Sequence, residues 1–283
     1  MSSEDITTPC VSVITCVYNN REIAEPCIRA AIDTLGSTQI DWELVLVDNH
    51  SPDVHTRDLL HSDVSTDERV QVVDPGKNIG CHNGWNYGYE HRHRTDNAYA
   101  VKLDDDTEML TKDWAPRLAT ALECVPGLAF VAGEIDCAGH AETEKRTYVH
   151  DVTLRVPKMF HPQATISFSC VMFRSAWLRE VGPMCGLGLY GWEEAYYCWD
   201  AMQRGETIGV LPAVRAHHHG NDQRDPAYVL WKYVYGILQW TTLDAPAWEA
   251  AEMAGHCKRM RQLETEQKIP ECVQPFFDLA KTL

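Results

Sequence analysis

Apolar and polar positions follow one another along the first half of the chain in a pattern that predicts strands alternating with helices. The β-branched run CVSVITCV at residues 10–17 predicts a buried strand, and the polar residues directly after it predict a loop. Residues 22–35 repeat apolar positions at intervals of three and four, which is typical of a helix. The run WELVLVD at residues 42–48 predicts a second strand that again ends in polar, turn-forming residues. Strand, helix and strand in this order indicate a parallel α/β sheet.

The same pattern predicts further elements up to about residue 220, although the alternation weakens after residue 135. The strands expected there lie within 70–74, 98–106, 128–135 and 207–220, and a further strand runs into a helix within 165–182. Other helices are expected to start within 77–91 and to cover 114–123 and 192–204. From residue 225 onward the sequence favours helices, including a strongly aromatic one. We therefore expect a mostly parallel, Rossmann-like sheet flanked by helices in residues 1–224. Residues 225–283 are expected to form a helical extension that packs on the core or contacts another copy of the chain.

Composition narrows the class of protein. The formal net charge of −16 argues against broad binding to nucleic acid or to anionic membranes, because those surfaces attract basic proteins. The eleven cysteines include no CxxC pair, so neither a zinc ribbon nor a disulfide framework is indicated. The acidic N-terminus lacks the features of a signal peptide, and no apolar run is long enough to span a membrane. These features predict a cytoplasmic protein with reduced thiols.

Three clusters of polar residues follow predicted strands or begin a predicted helix. They are the triplet Asp104–Asp106, the pair Glu193–Glu194 and the triplet His217–His219. Adjacent carboxylates repel one another, so the aspartate triplet calls for a compensating cation. Along an extended chain alternate side chains point to the same side, so Asp104 and Asp106 can share one site while Asp105 faces away. Oxygen and imidazole ligands suit Mn²⁺, and oxygen ligands suit Mg²⁺.

Several residues allow two interpretations. At least one of the histidines contacts a metal or a phosphate, or all three lie at the surface. Lys77 follows a Pro-Gly turn, where its ammonium group either contacts phosphate or is solvated. Trp85 and Trp192 either stack on a sugar or base, or pack in the core.

Taken together, the motifs resemble those of the family 2 nucleotide-sugar glycosyltransferases, which have the GT-A fold. The matching segments cover roughly residues 10–222, and they are VSVITCVYNN, LVLVDNHSPD, KNIGCHNGWNYG, VKLDDD and GWEEAYYCWDAMQRG. The resemblance implies a nucleotide-sugar site that includes Thr15, Val17, Asn19, Asp48, Lys77, Asn78, Gly80, Asn83, Asp104 and Asp105. It also implies a metal held by Asp106, with His217 and His219 as further candidates and Trp192 near the acceptor.

The family pattern has a Glu-Asp pair before a helix, whereas this chain has Glu193 and Glu194. The second member of the pair would be the general base that deprotonates the acceptor, and so Glu194 is the first candidate and Glu193 the second. Two solvated glutamates at a helix N-terminus, where the helix dipole favours negative charge, are the alternative interpretation.

The resemblance implies an inverting glycosyltransferase that depends on Mn²⁺ or Mg²⁺ and uses a nucleoside-diphosphate sugar, with UDP-sugars favoured. A non-catalytic protein that binds nucleotide sugars or carbohydrates on the same fold is the main alternative, since the Glu-Glu pair departs from the family. A nucleotidyltransferase is disfavoured because the first loop is neither glycine-rich nor basic. The acceptor stays open among a glycan, a glycolipid, a protein side chain and a modified nucleobase.

Overall fold

The computed structural model of the chain describes residues 10–136, 143–157, 166–184 and 193–220. Trp192 and the predicted extension 225–283 lie outside the described residues, so the domain boundary at residue 224 stays a prediction. Six α-helices are described: α1 (Arg21–Gly36), α2 (Val54–Asp58), α3 (Cys81–His91), α4 (Trp114–Cys124), α5 (Ser175–Val181) and α6 (Glu193–Gln203). A π-helical turn, Leu59–Asp63, continues α2, and a 3-10 turn covers Val149–Asp151.

Ten described strands form one sheet. They are β1 (Cys10–Val17), β2 (Asp41–Asp48), β3 (Val70–Val73), β4 (Tyr99–Leu103), β5 (Thr107–Met109), β6 (Leu128–Ile135), β7 (Thr143–Thr147), β8 (Thr153–Pro157), β9 (Cys170–Arg174) and β10 (Thr207–His218). The strand order is β3-β2-β1-β4-β9-β6-β10-β8-β7, and β5 pairs with β10.

The sheet is parallel from β3 to β4 and mixed beyond β4. Strand β9 runs antiparallel to both β4 and β6, while β10 runs parallel to β6 and antiparallel to β5. Parallel strands end at the same edge of a sheet, so the loops after β1, β2 and β4 gather there. Because β5 and β10 pair, the chain after the aspartate triplet lies beside the histidine triplet.

Apolar side chains cover both faces of the sheet. One cluster contains Trp42, Trp114 and most of the buried leucines. The other is rich in aromatic rings, including Phe130, Phe168 and Phe173, which meet edge-on or tilted at centroid distances of 5.2–5.6 Å. Trp85 belongs to this second cluster, where its ring stacks on Tyr89 at 5.3 Å, so among the described residues it is a core side chain.

Helix α3 lies unusually close to the sheet because two of its residues are glycines. A Cβ atom on Gly84 would lie 2.4 Å from Cys16 Sγ, and a Cβ atom on Gly88 would lie 2.6 Å from Ile14 Cγ2. Neither position tolerates a larger side chain without a shift of the helix or of these neighbouring side chains. The close approach sets the position of the α3 N-terminus relative to the ends of β1 and β2.

The predicted fold class is confirmed, and most predicted elements agree with the described ones to within a few residues. The features that were not predicted include helix α2 with its π-helical turn, the short strand β5 and the β7–β8 hairpin. That hairpin pairs charged residues such as Lys145 and Arg155. Within the described ranges, no helix combines the length and the apolar character needed to cross a membrane.

Candidate active site

Asp48 ends β2 and is fully buried. Its Oδ1 accepts a hydrogen bond of 2.8 Å from the backbone N–H of Ser51, and its Oδ2 lies 3.2 Å from Nε2 of His61. Both carboxylate oxygens therefore have partners. The bonds hold the side chain in one orientation at the edge of the sheet.

The loop between β3 and α3 is attached to β2 through Asn49. Its Oδ1 accepts from the backbone N–H of Ile79 at 2.9 Å, and its Nδ2 donates to Asn78 Oδ1 at 3.1 Å and to Gly80 O at 3.3 Å. Gly80 has φ 87°, a left-handed value that favours glycine. The side chain of Asn49 thus fixes the shape of the loop that precedes α3.

The loop after β1 is fixed in the same way. Asn19 donates its backbone N–H to Ser51 Oγ at 3.0 Å and accepts the backbone N–H of Asp53 on its Oδ1 at 3.2 Å. Asn19 and Asn20 both have left-handed backbones, with φ of 57° and 66°. Asparagine tolerates that conformation better than most residues, which explains the Asn-Asn pair at this turn.

The other predicted nucleotide-sugar residues fall into two groups. Thr15 and Val17 are buried in β1. Lys77, Asn78 and Asn83 are exposed around the start of α3. The structure thus brings the first, second and third motifs to one edge of the sheet, while the contacts of each residue with a nucleotide stay predictions.

Asp104, Asp106 and His218 form a group whose ligand atoms all lie within 4.8 Å of one another. His218 Nε2 is 3.1 Å from Asp106 Oδ1, and Asp106 is buried. The backbone N–H of His219 donates to Asp106 O at 2.9 Å, so β10 is attached to the aspartate loop by its main chain as well. Two carboxylates and one imidazole are a ligand set that suits a divalent cation such as Mn²⁺.

The two histidines that the sequence selected as metal ligands face other acidic groups. His217 Nδ1 lies 2.6 Å from Asp136 Oδ2, and His219 Nε2 lies 3.2 Å from Glu108 Oε2. Because alternate side chains of a strand share a side, the rings of His217 and His219 meet at 4.6 Å while His218 reaches Asp106. The geometry therefore favours His218 as the metal ligand, and a metal role for His217 or His219 stays a prediction.

Lys102 is buried within β4, with only 4% of its side chain exposed. Its Nζ donates to Asp104 Oδ1 through a close contact and to Phe168 O at 3.3 Å. The aspartate triplet is thus compensated from one side by a lysine on the same strand.

Glu194, in the first turn of α6, has a perturbed acidity. Burial and the neighbouring Glu193 carboxylate raise its pKa from 4.5 to about 7, against the opposing effects of Lys102 and of a hydrogen bond from the backbone N–H of Phe168. That hydrogen bond joins Phe168 N to Glu194 Oε1 at 3.1 Å. A carboxylate with a pKa near neutrality can accept a proton at physiological pH and release it afterwards.

Glu193 is more buried than its neighbour, with 6% of the residue exposed. Its Oε2 has no hydrogen-bond partner among the described residues, and the same is true of His82 Nδ1 at the start of α3. Burial lowers the pKa of His82, while the charge of Glu193 acts in the opposite direction. Both atoms are buried and lack a partner among the described residues, and such atoms are suited to binding the hydroxyl groups of a substrate.

Sequence reasoning did not select Lys102, His82 or Phe168, which also belong to this region. A signal existed for Lys102, since a lysine two residues before Asp104 on an otherwise apolar strand must lie on the same side as that carboxylate. The contribution of Phe168 depends on its backbone and leaves no trace in the sequence.

Fold and site together describe a GT-A type protein with an acidic, imidazole-containing centre at the carboxyl edge of its sheet. The sequence profile of glycosyl transferase family 2 matches residues 12–182, which is more than half of the chain. The chain therefore belongs to glycosyl transferase family 2, and the resemblance inferred from its motifs is confirmed.

A curated relative agrees with this assignment. The chain is 36% identical over 98 residues to a Bacillus subtilis protein named "Putative teichuronic acid biosynthesis glycosyltransferase TuaG". The matched region is 35% of this chain and 36% of TuaG, so the similarity spans about a third of the length of that relative.

Solved structures of low sequence identity share the fold. GalNAc-T7 with UDP, GalNAc and Mn²⁺ is 16% identical at a TM-score of 0.59, and the match covers 80% of this chain and 46% of that one. The mannosyltransferase PcManGT from Pyrobaculum calidifontis with GDP-Man and Mn²⁺ is 14% identical at a TM-score of 0.58, covering 98% and 80%. S. aureus TarS 1-349 with UDP-GlcNAc is 15% identical at 0.53, covering 95% and 79%.

Proposed function

We propose that the protein is an inverting, divalent-metal-dependent glycosyltransferase that moves a sugar from a nucleoside-diphosphate sugar to an acceptor hydroxyl. The observation that carries the proposal is the combination of a two-aspartate, one-histidine group with a glutamate whose pKa is raised to about 7. The first arrangement suits a metal and the second suits proton transfer. Membership of the family supports the same reaction class.

Asp104, Asp106 and His218 would hold the cation. A bound divalent cation supplies positive charge that stabilises the negative charge of a leaving diphosphate. Asp48 and the loop attached to Asn49 would bind the nucleoside, since their hydrogen bonds keep them in fixed positions. Uridine nucleotides in two of the three similar structures support a UDP-sugar as the donor.

Glu194 would take the proton of the acceptor hydroxyl. As the oxygen–hydrogen bond breaks, the acceptor oxygen forms a bond to the anomeric carbon. The bond from that carbon to the diphosphate oxygen breaks, and its electron pair goes to the diphosphate. A single displacement of this kind inverts the anomeric configuration, and it requires one base with a pKa near the working pH.

A protein that binds nucleotide sugars without turnover is the second candidate. It is favoured by one specific departure, the glutamate at the position where the family has the aspartate base. The longer side chain changes the reach of the carboxylate by one methylene group. The two candidates share the donor site and differ only in whether the sugar is released.

We also propose that residues 225–283 form a helical extension beyond the catalytic domain, and that this extension packs on the core or joins copies of the chain. We further propose a cytoplasmic location for the protein. Four classes of acceptor are compatible with the proposed function: a glycan, a glycolipid, a protein side chain and a modified nucleobase.

A donor screen tests the proposal. UDP-, GDP- and dTDP-sugars are added to the protein with Mn²⁺ or Mg²⁺, and both the thermal midpoint and the release of free sugar are measured. At a donor concentration of about 100 times Kd, binding should stabilise the protein by roughly 2.7 kcal/mol, which raises the midpoint by several degrees.

Asp106→Ala removes one of the proposed metal ligands, and Asp96→Ala, at an exposed position, is its control. The first should lose the metal-dependent part of the stabilisation, and the second should keep it. If no nucleotide sugar stabilises the protein with either metal, the proposed function is wrong. Stabilisation without sugar release or transfer to any acceptor would favour the binding protein.

A further inference from the structure

We propose that Lys102 is a positioning residue. Through its hydrogen bond to the backbone of Phe168, it keeps the Asp104 and Glu194 carboxylates in fixed positions relative to each other. This inference rests on the proposed function, because it assigns Lys102 a part in that same site. It connects two groups that belong to different elements, the end of β4 and the start of α6.

Lys102 occupies the centre of the sheet. Its register partners are Ile14 on β1 and Val171 on β9, so strands flank it on both sides. A lysine is rarely placed there, because burial of an ammonium group is costly unless partners surround it. Among the described residues, its hydrogen-bond partners are the Asp104 carboxylate and the Phe168 carbonyl.

Both the backbone C=O and the backbone N–H of Phe168 form hydrogen bonds with side chains of the site. Its carbonyl accepts from Lys102 Nζ at 3.3 Å, and its N–H donates to Glu194 Oε1 at 3.1 Å. Its ring is fully buried in the aromatic cluster, where it meets Phe130 at 5.4 Å and Phe173 at 5.6 Å. The backbone between the two hydrogen bonds therefore has little freedom to shift.

The main chain adds a further connection. The backbone N–H of Asp104 donates to Ser169 O at 2.9 Å, so the residue after Phe168 is attached to the aspartate loop as well. Lys102, Asp104 and residues 168–169 thus form a closed set of contacts. Glu194 is attached to that set through one hydrogen bond.

The charge of Lys102 acts on the same groups. The Lys102 ammonium group contacts the Asp104 carboxylate directly, and the Phe168 carbonyl oxygen is a second acceptor for it. The ammonium group offsets part of the repulsion among the acidic groups and favours the ionised form of Glu194.

A buried ion pair of this kind could instead serve stability alone, since removal of one partner leaves an uncompensated charge. The two roles differ in what they predict for catalysis. A structural role lowers the thermal midpoint and leaves the chemistry of the folded fraction unchanged. A positioning role changes kcat and the pH profile of the folded enzyme.

The test compares Lys102→Met, which removes both hydrogen bonds and the charge, with Lys102→Gln, which removes the charge but keeps a donor. The exposed Lys145→Met is the control for the same chemical change elsewhere. The assay is Mn²⁺-dependent release of sugar from the donor that stabilises the wild-type protein. The values of kcat and KM are measured from pH 5.5 to 9 at a temperature where every variant is folded.

Lys102→Met should lower kcat by about tenfold or more with a smaller change in KM, because loss of a positioning contact affects the geometry of the reacting groups. Lys102→Gln should recover part of that loss. Both should move the acid limb of the kcat profile to higher pH, because the carboxylate of Glu194 loses a nearby positive charge. Lys145→Met should match the wild-type protein.

A second measurement does not depend on turnover. Hydrogen exchange of the peptide covering residues 166–170 reports on the Phe168 N–H that Glu194 accepts. This exchange should be faster in Lys102→Met than in Lys145→Met or the wild-type protein, even if no sugar is released by any of them. Unchanged exchange together with an unchanged kcat and acid limb would overturn the proposal. A wild-type protein without turnover would contradict the proposed function and leave the exchange result to decide the role of Lys102.

Discussion

Asp48 and the pair Glu193–Glu194 differ in how many of their carboxylate oxygens have hydrogen-bond partners among the described residues. Asp48, at the end of β2, has partners for both carboxylate oxygens and no exposed surface. Glu193, at the start of α6, keeps one buried oxygen without a hydrogen-bond partner among the described residues. Its neighbour Glu194 has a pKa raised to about 7.

This difference in hydrogen bonding predicts that Asp48 binds a ligand and that Glu194 transfers a proton. A carboxylate with fixed partners cannot change its position without losing them, so Asp48 is suited to holding a ligand in one orientation. A carboxylate that is costly to ionise can exchange a proton near neutral pH, so Glu194 is suited to catalysis. Substitutions on the two sides should therefore affect different kinetic constants.

The largest expected effect belongs to Glu194. Glu194→Gln should lower kcat by about 10²–10⁴-fold, because an amide cannot accept the acceptor proton. Donor binding in the presence of Mn²⁺, measured by calorimetry, should stay near the wild-type value. Glu68→Gln, an exposed glutamate, is the control. Strong transfer by Glu194→Gln would move the base to another residue, with Glu193 the first to test.

Substitution of His218 tests which of the three histidines binds the proposed metal. His218→Ala should weaken Mn²⁺ binding by about 10–100-fold or more, since even residues that only support metal ligands have effects of that size. His217→Ala, which removes a partner of Asp136, should change it far less. Titration of Mn²⁺ at a fixed concentration of nucleotide measures both, and the opposite order would return the metal role to His217.

The pH profile tests the raised pKa of Glu194. The group is neutral below about pH 7 and ionised above it, so kcat should rise with pH through this region and fall about tenfold per unit on the acid side. The effect on stability has the opposite sign. The folded state keeps a proton that the unfolded chain releases above pH 4.5, so stability due to this group is lost as pH rises from 4.5 through 7.

Urea denaturation at several pH values measures that second effect. Glu194→Gln should flatten the decline in the free energy of unfolding across this pH range relative to the wild-type protein, because the amide does not titrate. An acid limb of kcat near pH 4.5 would contradict the raised pKa.

The smallest effect is expected at Asp48. Asp48→Asn keeps an oxygen for the N–H of Ser51 but loses the negative charge, so KM for the donor should rise by about tenfold, in line with a charged hydrogen bond of 1.5–3 kcal/mol. The value of kcat should stay nearly unchanged. A loss confined to kcat would remove the distinction between the two carboxylate groups.

Most of the fold could be predicted from the sequence because its buried strands are continuous apolar runs. Strand β6 was predicted with the bounds that the structure has, since LAFVAGEI is flanked by a glycine turn and a helix. The β7–β8 hairpin was missed because its strand TEKRT is charged and lies at the edge of the sheet, where burial imposes no pattern.

The site residues that lie together in one short segment could be predicted from the sequence. The alternation of Asp104 and Asp106 follows from the extended chain and agrees with their shared group. The choice among the histidines was not predictable, because it depends on the register between β5 and β10, which pairs His218 with Thr107. The raised pKa of Glu194 depends mainly on burial, and only the smaller contribution of the adjacent Glu193 carboxylate could be derived from the sequence.

The pairing of β10 with β5 has a consequence for how the protein is made on the ribosome. Asp104 and Asp106 emerge well before His218, and at about 5–20 residues per second the imidazole follows the aspartates by roughly 6–23 seconds. The family-matched segment ends at residue 182, before β10 begins. During that interval the nascent chain carries its aspartates without the histidine, so assembly of the proposed metal site awaits synthesis of its last described strand.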